Sequence, residues 1–351
     1  MEPAKTLSIQ IVTWNSARYL PDLFESLDRQ KSQDFTVTVV DNGSTDGTLE
    51  WLRLRQPGLI LLRNFRNQGF ARAHNQALAL ARTRWLEQGA DLQFRYAFLL
   101  NPDCILHPNC VAELCYAMQA QPKVALAGPK LLRAVRQSEE EGERALVTLT
   151  NSIDSTGLVI KKSRQAEDRG AGEEDRGQYD QSEPFGISGA ALVVRASTLT
   201  ELQPANELFD EDFFAYKEDV DLAWRLRLLG REVAFLPRAI VWHYRRAKPT
   251  QRPGLLARWW NNRQREPSLK ILSHRNQRWL EWKNDDWVNR FIHLPWLLPE
   301  TLARFCAVVL DRHAFRAMLL AWLGRSQIQA KRRELMRRRQ TSPANMRRWL
   351  V

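Results

Sequence analysis

The first part of the chain alternates short apolar runs with segments whose apolar residues recur at helical spacing. Runs of strand-like character, rich in valine, isoleucine and leucine, lie at 7–13, 36–40, 59–62 and 96–100. Between the last two, residues 71–86 have the length and the Ala/Leu/Arg composition of a helix. This alternation predicts an α/β fold in which a mostly parallel, Rossmann-like sheet is covered by helices and joined by right-handed crossovers.

Three of these apolar runs stop on polar residues, at Thr13 and Asn15, at Asp41, and at Asn101 and Asp103. In an open, mostly parallel sheet, ligands bind beyond the carboxyl ends of the strands. Polar side chains that follow several strands therefore converge on one crevice. The pattern predicts a nucleotide site at this edge of the sheet.

Two aspartates at these strand ends are candidates for direct contact with a ligand. The Asp41 carboxylate can accept hydrogen bonds from a base or a ribose, and an Asx turn into the next helix is the alternative. Asp103 follows Asn101 and a proline, where one carboxylate can bind a hard divalent cation that keeps water and phosphate oxygens as its other ligands. A simple Asn-Pro-Asp turn is the alternative here.

Beyond residue 183 the regular pattern returns, with a predicted strand at 187–194, a helix at 213–229 and short strands at 233–236 and 240–242. Six acids occur within the twelve residues from Asp210 to Asp221. Such a run can favour the positive end of a helix dipole, but its density also indicates a metal, a cationic partner or an active site.

If 218–227 is helical, Asp219 stands at its exposed start, where a carboxylate can act as a general base, whereas Asp221 and Arg225 form an i,i+4 ion pair. His243 follows a short apolar run and is either a metal ligand at a strand end or a structural histidine. The segment 63–75, which includes Asn67, offers amide and guanidinium donors suited to phosphate at a helix entrance.

Net positive charge and tryptophan are concentrated in the last third of the chain. Residues 240–351 hold 24 of the 52 Lys+Arg and 7 of the 40 Asp+Glu, a net of +17, which leaves 28 − 33 = −5 for residues 1–239. Nine of the 13 tryptophans lie in the same basic region. This composition suits an anionic membrane surface. A basic helical cap on the rest of the protein and a nucleic-acid-binding tail are the alternatives.

No transmembrane helix is expected, because the longest apolar stretch, 291–310, is interrupted by two prolines and by charged residues. The chain also opens without the basic and apolar regions of a secretory signal, which indicates the cytoplasm.

The four cysteines show no metal-like pair and predict free, buried thiols. Within the polar stretch 133–183, the Gly-rich and charged part is either a mobile active-site loop or a solvated linker.

Several of these segments together resemble glycosyltransferase family 2, the inverting nucleotide-sugar enzymes of GT-A fold. The resemblance covers about residues 7–245 and is carried by IVTWN (11–15), VVDNGSTDGT (39–48), NFRNQGFARAHN (64–75), LLNPD (99–103), GPKLL (128–132), ISGAALVVR (187–195) and FFAYKEDVDLAWRLRLLG (213–230). Within the family, IDSTG (153–157), EDRGAGEEDRGQYD (167–180) and VWHYR (241–245) are most similar to bacterial rhamnosyltransferase-type enzymes of cell-surface polysaccharide assembly.

The resemblance implies a role for each candidate residue. Asp219 would be the catalytic base, and Asp103 and His243 would bind a divalent metal, Mg²⁺ or Mn²⁺, at the donor's diphosphate. The donor-binding residues would be Thr13, Asn15, Asp41, Asn67 and Asn101. Asn101 occupies a position where many relatives have a second acid, which leaves the metal one carboxylate fewer. The loop 165–182 would close over the donor and exclude water.

The implied enzyme transfers a sugar, with rhamnose as the candidate, from a nucleoside-diphosphate sugar to a saccharide or lipid-linked acceptor. We expect a catalytic domain over 1–246, and over 247–351 a basic, Trp-rich helical region that lies peripherally on the cytoplasmic face of the bacterial inner membrane. A sugar nucleotidyltransferase is disfavoured because no Gly-rich, basic loop follows the first strand. A nucleic-acid-binding protein would leave the N-terminal acids without a function.

Overall fold

The computed structural model describes residues 5–55, 59–136, 146–202, 207–244 and 266–351. The strands in these ranges are β1 (Leu7–Thr13), β2 (Phe35–Asp41), β3 (Ile60–Arg63), β4 (Tyr96–Leu100), β5 (Cys104–Leu106), β6 (Val124–Arg136), β7 (Val147–Ser155), β8 (Leu158–Ile160), β9 (Ala166–Asp168), β10 (Ala191–Arg195) and β11 (Glu232–Tyr244). The helices are α1 (Leu20–Asp28), α2 (Thr48–Arg55), α3 (Phe70–Glu87), α4 (Cys110–Ala120), α5 (Glu218–Leu228), α6 (Pro267–Asn284), α7 (Trp287–Ile292), α8 (Leu294–Leu310), α9 (Arg312–Leu323), α10 (Arg325–Arg337) and α11 (Pro343–Arg347).

The main sheet has the order β3-β2-β1-β4-β10-β6-β11-β5, with β7 paired to β6. Strands β1 to β4 run parallel to one another, and β6 runs parallel to β11. β10 is antiparallel to both of its neighbours, and β5 is antiparallel to β11. The predicted α/β class, with a central sheet covered by helices, is confirmed, and four of the eight strand pairs described in this sheet are parallel.

Helices cover both faces of this sheet because its strands carry apolar side chains on both. Leu7, Ile9 and Ile11 of β1 share a buried cluster with Leu20 and Leu23 of α1. On the other face, small residues of α3 allow that helix to lie close to the ends of β1 and β2. The apolar faces that the sequence predicts for these strands and helices therefore pack against each other in the core.

The structure corrects three local predictions. The helix expected over 213–229 begins only at Glu218, because Phe214, Tyr216 and Lys217 have positive φ and interrupt it. The two short strands expected near the end are one strand, β11, whose pairing shifts between Leu236 and Ile240. Asn15 and Ser16 are residue types that can cap a helix whose apolar residues begin at Leu20, but the N-cap of α1 is Tyr19.

The expected helical C-terminal region is confirmed, and part of it belongs to the same core as the sheet. Trp279 and Leu280 of α6, Ala321 of α9 and Ile328 of α10 are buried in one cluster with Trp224 of α5.

The expected domain boundary at 246–247 lies outside the described residues. Within the described helices, none is long and apolar enough to cross a membrane. Cys306 of α8 is exposed, so the prediction of buried thiols is wrong for this cysteine.

Candidate active site

The ends of β1 and β2 bring three predicted donor-binding residues together. Thr13 and Asp41 are opposite each other in the sheet, and the Thr13 hydroxyl donates to Asp41 Oδ1 at 3.1 Å. The other Asp41 oxygen accepts from the backbone N–H of Ser44 at 3.2 Å. Asn15, at φ 51°, accepts from the N–H of Thr45 through its side chain, so the two strand-end loops form one unit.

Asn42 was missed by the sequence analysis, although it connects this unit to Asn67. Its Nδ2 donates to Asn67 Oδ1 at 2.9 Å, and its Oδ1 accepts from the backbone N–H of Gln68 at 2.9 Å. Asn67 also accepts from the N–H of Gly69. The predicted phosphate-binding segment is therefore anchored directly to the end of β2, beside Asp41.

The predicted metal residues Asp103 and His243 are adjacent. β5 and β11 pair antiparallel with His243 opposite Cys104, which places His243 Nε2 3.3 Å from Asp103 Oδ1. Asp103, Cys104 and His243 each offer a ligand atom within 4.8 Å of the others. Burial is the main cause that raises the pKa of the Cys104 thiol, so this cysteine stays protonated and is a poor ligand for a hard cation.

A second carboxylate orients His243. Asp154 of β7 lies with its Oδ2 2.9 Å from His243 Nδ1 and is itself buried. Burial alone would lower the pKa of His243, but hydrogen bonds and charges from Asp103 and Asp154 outweigh it and raise this pKa to about 10. The pocket thus favours positive charge. His243 is therefore protonated at neutral pH, and a cation bound between Asp103 and this ring would have to displace the proton. The carboxylate–imidazole arrangement itself is one that metal sites use.

Asp219 is the second residue of α5 and is held by backbone donors. Its Oδ2 accepts from the N–H of Gly189 at 3.0 Å and its Oδ1 from the N–H of Val220 at 2.8 Å. Burial raises the pKa of Asp219 and the nearby charge of Asp168 adds to the rise, while both hydrogen bonds oppose it. Burial and the charge of Asp219 raise the pKa of the neighbouring Glu218 to about 8.

The segment before β10 connects Asp219 to the turn that holds Asp103, one of the predicted metal residues. Gly189 contacts Asp219, and the carbonyl of the next residue, Ala190, accepts from the backbone N–H of Asn101 at 2.9 Å. The Cys104 thiol also donates to that carbonyl, at 3.6 Å. The structure therefore places Asp219 beside the Asn101–Asp103 turn, at the same edge of the sheet as Asp41.

The loop that leads into α5 is strained and is held by the C-terminal region. Phe214, Tyr216 and Lys217 have φ of 63°, 72° and 71°, a region that side-chain-bearing residues rarely adopt. Asn276 of α6 is fully buried, and its Nδ2 lies within 2.9 Å of the carbonyl oxygens of Phe213, Ala215 and Tyr216. This side chain, which sequence analysis did not single out, clamps the loop next to Asp219.

Two lysines of the C-terminal helices α6 and α10 neutralise part of the dense acidic run. Lys283 of α6 donates to Asp221 at 2.9 Å and to Asp210, and all three side chains are almost fully buried. Lys331 of α10 binds Asp210 and Asp212. The predicted pair of Asp221 with Arg225 is confirmed at 2.7 Å. A cationic partner of the acidic run is thus the chain's own C-terminal region.

Part of the loop 165–182 is attached to β7 and β6. The N–H of Ile153 donates to the carbonyl of Glu173, and Lys130 of β6 is 2.9 Å from Asp175 and 3.0 Å from Asp180. Separately, a cleft of about 480 Å³ lies between the segment 66–72 and residues 211–214, and Asn67 lines it. Closure of the loop over a donor stays a prediction.

Comparison with known proteins identifies the family. A family model described as glycosyl transferase family 2 matches residues 8–197, more than half of the chain. The chain belongs to glycosyl transferase family 2. This glycosyltransferase is 29% identical over 241 residues to the N-acetylglucosaminyl-diphospho-decaprenol L-rhamnosyltransferase of Mycobacterium tuberculosis, a match that covers 68% of this chain and 76% of the relative.

Two further similarities are more limited. A PGL/p-HBAD biosynthesis glycosyltransferase of Mycobacterium bovis is 37% identical over 86 residues, which cover 24% of this glycosyltransferase and 34% of the relative. The crystal structure of S. aureus TarS 1-349 matches with a TM-score of 0.48 and 14% identity, and the match covers 97% of this chain and 91% of that chain. The family assignment therefore rests on the sequence matches.

We expect Asn276→Ala to impair turnover in this glycosyltransferase. Loss of the clamp lets the strained loop relax, so kcat should fall by about 10- to 100-fold, comparable to the effect of misplacing a catalytic group by an ångström. Asn289→Ala is a matched control, because Asn289 is equally buried and donates to a backbone carbonyl, that of Pro343, at 2.8 Å. Both values of kcat are measured by steady-state kinetics. Equal losses in the two variants would show that Asn276 contributes only to general stability and does not specifically position the loop.

Proposed function

We propose that the protein is an inverting glycosyltransferase that moves a sugar, with rhamnose as the candidate, from a nucleoside-diphosphate sugar to a saccharide or lipid-linked acceptor. The proposed process is the assembly of cell-surface polysaccharide in the cytoplasm. The observation that carries the proposal is the short path from Asp219 through Gly189 and Ala190 to the Asn101–Asp103 turn. The proposed base and the proposed diphosphate-binding turn are thus neighbours. The mycobacterial relative named above, a rhamnosyltransferase, supports the choice of sugar and of a lipid-linked acceptor.

The donor's nucleoside is proposed to bind at the joined ends of β1 and β2. Thr13, Asn15 and Asp41 supply hydroxyl, amide and carboxylate groups there, and Asp41 is rigid because both of its oxygens accept hydrogen bonds. Asn67, anchored through Asn42, and Asn101 would contact the diphosphate and the sugar. A preorganised polar site of this kind loses little conformational freedom when it binds its ligand.

Asp103 and His243 would hold the divalent cation, Mg²⁺ or Mn²⁺. Their donor set fits such an ion, since a carboxylate oxygen and an imidazole nitrogen adjoin, and the imidazole would release its proton when the ion binds. When bound, the cation neutralises charge on the departing nucleoside diphosphate. Asp154 would keep the His243 ring in a fixed orientation.

Asp219 would take the proton from an acceptor hydroxyl as that oxygen attacks the anomeric carbon of the donor. The new glycosidic bond forms while the bond to the diphosphate oxygen breaks, so the anomeric configuration inverts. A carboxylate with a raised pKa is a better proton acceptor, which suits a general base. Two backbone N–H donors keep its orientation fixed before the acceptor arrives.

A thermal-shift screen tests this proposal. Nucleoside-diphosphate sugars with dTDP, UDP and GDP are added to the protein with and without Mn²⁺ or Mg²⁺. One nucleotide class should raise the melting temperature, and the cation should increase that rise, because ligands that bind the native state stabilise it by mass action. Absence of a shift with all three classes, followed by absence of transfer, would contradict the proposed donor.

We expect Asp154→Asn to weaken Mn²⁺ binding by about 10- to 100-fold, the usual effect of removing the carboxylate partner of a metal-binding histidine. Isothermal titration calorimetry with Mn²⁺ measures this directly. Asp175→Asn is the matched control, because the carboxylate of Asp175 pairs with Lys130 at 2.9 Å and not with a histidine. Unchanged affinity in Asp154→Asn would show that Asp154 does not act on the metal site.

A further inference from the structure

An unusually large set of exposed apolar side chains lies on α7, α8 and α9. Of the 25 large hydrophobic residues that are exposed in the described part of the chain, 14 lie between Trp287 and Leu323. This set, here called the apolar ridge, consists of Trp287, Phe291, Ile292, Leu294, Trp296, Leu298, Leu302, Phe305, Val309, Leu310, Phe315, Leu319, Trp322 and Leu323. Exposed apolar side chains concentrated in this way mark a site of interaction.

The ridge is ordered by helical spacing. On α8, Leu298, Leu302, Phe305 and Val309 follow one another at intervals of four, three and four residues and are 57–66% exposed. Such residues lie on one side of a helix. Leu297 is the one large hydrophobic residue of α8 that is buried in the structure as described. The core of the protein therefore accounts for little of the apolar character of this helix.

The charges around the ridge are mostly positive. Residues 287–325 contain five arginines and two acids, Glu300 and Asp311. Glu300 accepts from Arg304 and Gln165, and Asp311 caps α9, so both acids already have partners. Arg312, Arg316 and Arg325 are exposed beside the apolar residues. Tryptophan and leucine bordered by exposed arginine form the kind of surface that binds at an anionic membrane interface.

We propose that the apolar ridge docks on an anionic lipid bilayer. The apolar side chains would enter the boundary between headgroups and acyl chains, and the arginines would contact lipid phosphates. A second copy of this chain is a poorer partner, because a symmetric contact would bring the same arginines of both copies together. The bilayer instead supplies both apolar volume and negative charge.

The ridge is also connected to the catalytic side of the protein. Lys162 lies over the ring of Trp296 at 4.9 Å, and Gln165 donates to Glu300 at 2.7 Å. Both residues directly precede β9 in the chain, so the ridge contacts the segment that leads into the loop 165–182. The inference that the membrane carries a lipid-linked acceptor rests on the proposed function, whereas docking itself does not.

Vesicle flotation tests the docking without any turnover. The full chain is mixed with vesicles of phosphatidylcholine alone or with about one third phosphatidylglycerol, and we expect flotation mainly with the anionic vesicles and less at high salt. Phe305→Glu/Val309→Glu should lower the partition coefficient by about tenfold or more. Phe315→Glu/Leu319→Glu on α9 should do the same, which makes the result independent of one helix.

The matched control is Leu54→Glu/Tyr116→Glu, which adds the same charge at two apolar residues that are 80% and 67% exposed outside the ridge. This control should float like the wild type. Equal flotation of control and ridge variants would overturn the proposal. So would a wild type that does not float but forms a dimer that the ridge variants dissociate. Turnover of a water-soluble acceptor, measured in parallel, should be unchanged in the ridge variants, so failure of docking and failure of the proposed function are distinguishable.

Discussion

Asp219→Asn should abolish nearly all sugar transfer. An asparagine keeps the size of the side chain but cannot accept a proton from the acceptor hydroxyl, so kcat should fall by about 10²- to 10⁴-fold. Donor binding should change little, because the residues proposed to bind the nucleoside and the diphosphate lie on elements other than α5. Steady-state kinetics for transfer and calorimetry for donor binding measure the two quantities separately.

The control for this variant is Asp28→Asn at the exposed end of α1. It makes the same chemical change at an exposed residue that is not part of the proposed site, and its kcat should equal that of the wild type. If Asp219→Asn retained more than a tenth of the wild-type kcat, Asp219 would not be the base. The neighbouring Glu218, whose pKa is raised to about 8, would then be the residue to test.

Lys283→Met should cause the largest loss of stability. The ammonium group of Lys283 lies between the buried carboxylates of Asp210 and Asp221, and methionine keeps its apolar volume but removes the charge. Breaking a buried ionic network by removing one partner leaves an uncompensated charge, which costs about 3–5 kcal/mol of the free energy of unfolding. Urea unfolding, followed by tryptophan fluorescence, measures the difference.

This loss should depend on pH. Burial by itself raises the pKa of Asp210, but Lys283 and Lys331 outweigh burial and hold the pKa below its ordinary value of 3.8. A depressed folded-state pKa gives stability that is present above the unfolded-state pKa and is lost as pH falls through the folded one. The difference between wild type and Lys283→Met should therefore be largest at neutral pH and shrink in acid.

Arg337→Met is the control for the lysine variant. The Arg337 side chain is 77% exposed and its pair with Glu334 spans 3.8 Å, so its removal should change the free energy of unfolding by less than about 0.5 kcal/mol. Equal effects of the two substitutions would mean that the buried network does not attach the C-terminal helices to the catalytic part.

The sequence predicted the strands and helices of the sheet well because their signals are local. The apolar pattern of each of these elements, β1, β2, β4 and α3, lies entirely within the element itself. The observed bounds of the four elements agree with the expected ones to within a residue. The polar strand ends were recognisable for the same reason. The helix at Glu218 was placed too early because the positive φ values before it depend on Asn276, about sixty residues further along the chain.

The contacts that orient the site could not be predicted from local pattern. Asp154 meets His243 across 89 positions, and Asn42 meets Asn67 across 25. Asp154 lies in the IDSTG segment that supported the family resemblance, but nothing in that segment indicates a histidine partner. Such residues are placed by the pairing of distant strands, which a single sequence does not show.

The opposite charges of the two parts of the chain have a structural explanation. Lys283 and Lys331 of the basic region bind acids of the 210–221 run, so part of its positive charge serves to attach it to the catalytic part. This is the basic helical cap that the sequence left open beside the membrane alternative. The arginines near the apolar ridge are separate from this contact, and they are the ones proposed to meet the membrane.

The measurement that tests the central claim most directly is the binding of a nucleoside diphosphate with and without Mn²⁺. The claim is that Asp41 and Asp103 belong to one site, so the two ligands must affect each other's affinity. Calorimetry with dTDP, UDP or GDP, whichever binds, should show tighter binding when Mn²⁺ is present, and Asp103→Asn should remove this increase while leaving metal-free binding unchanged. An affinity that does not respond to Mn²⁺, or that responds equally in Asp103→Asn, would contradict a shared site.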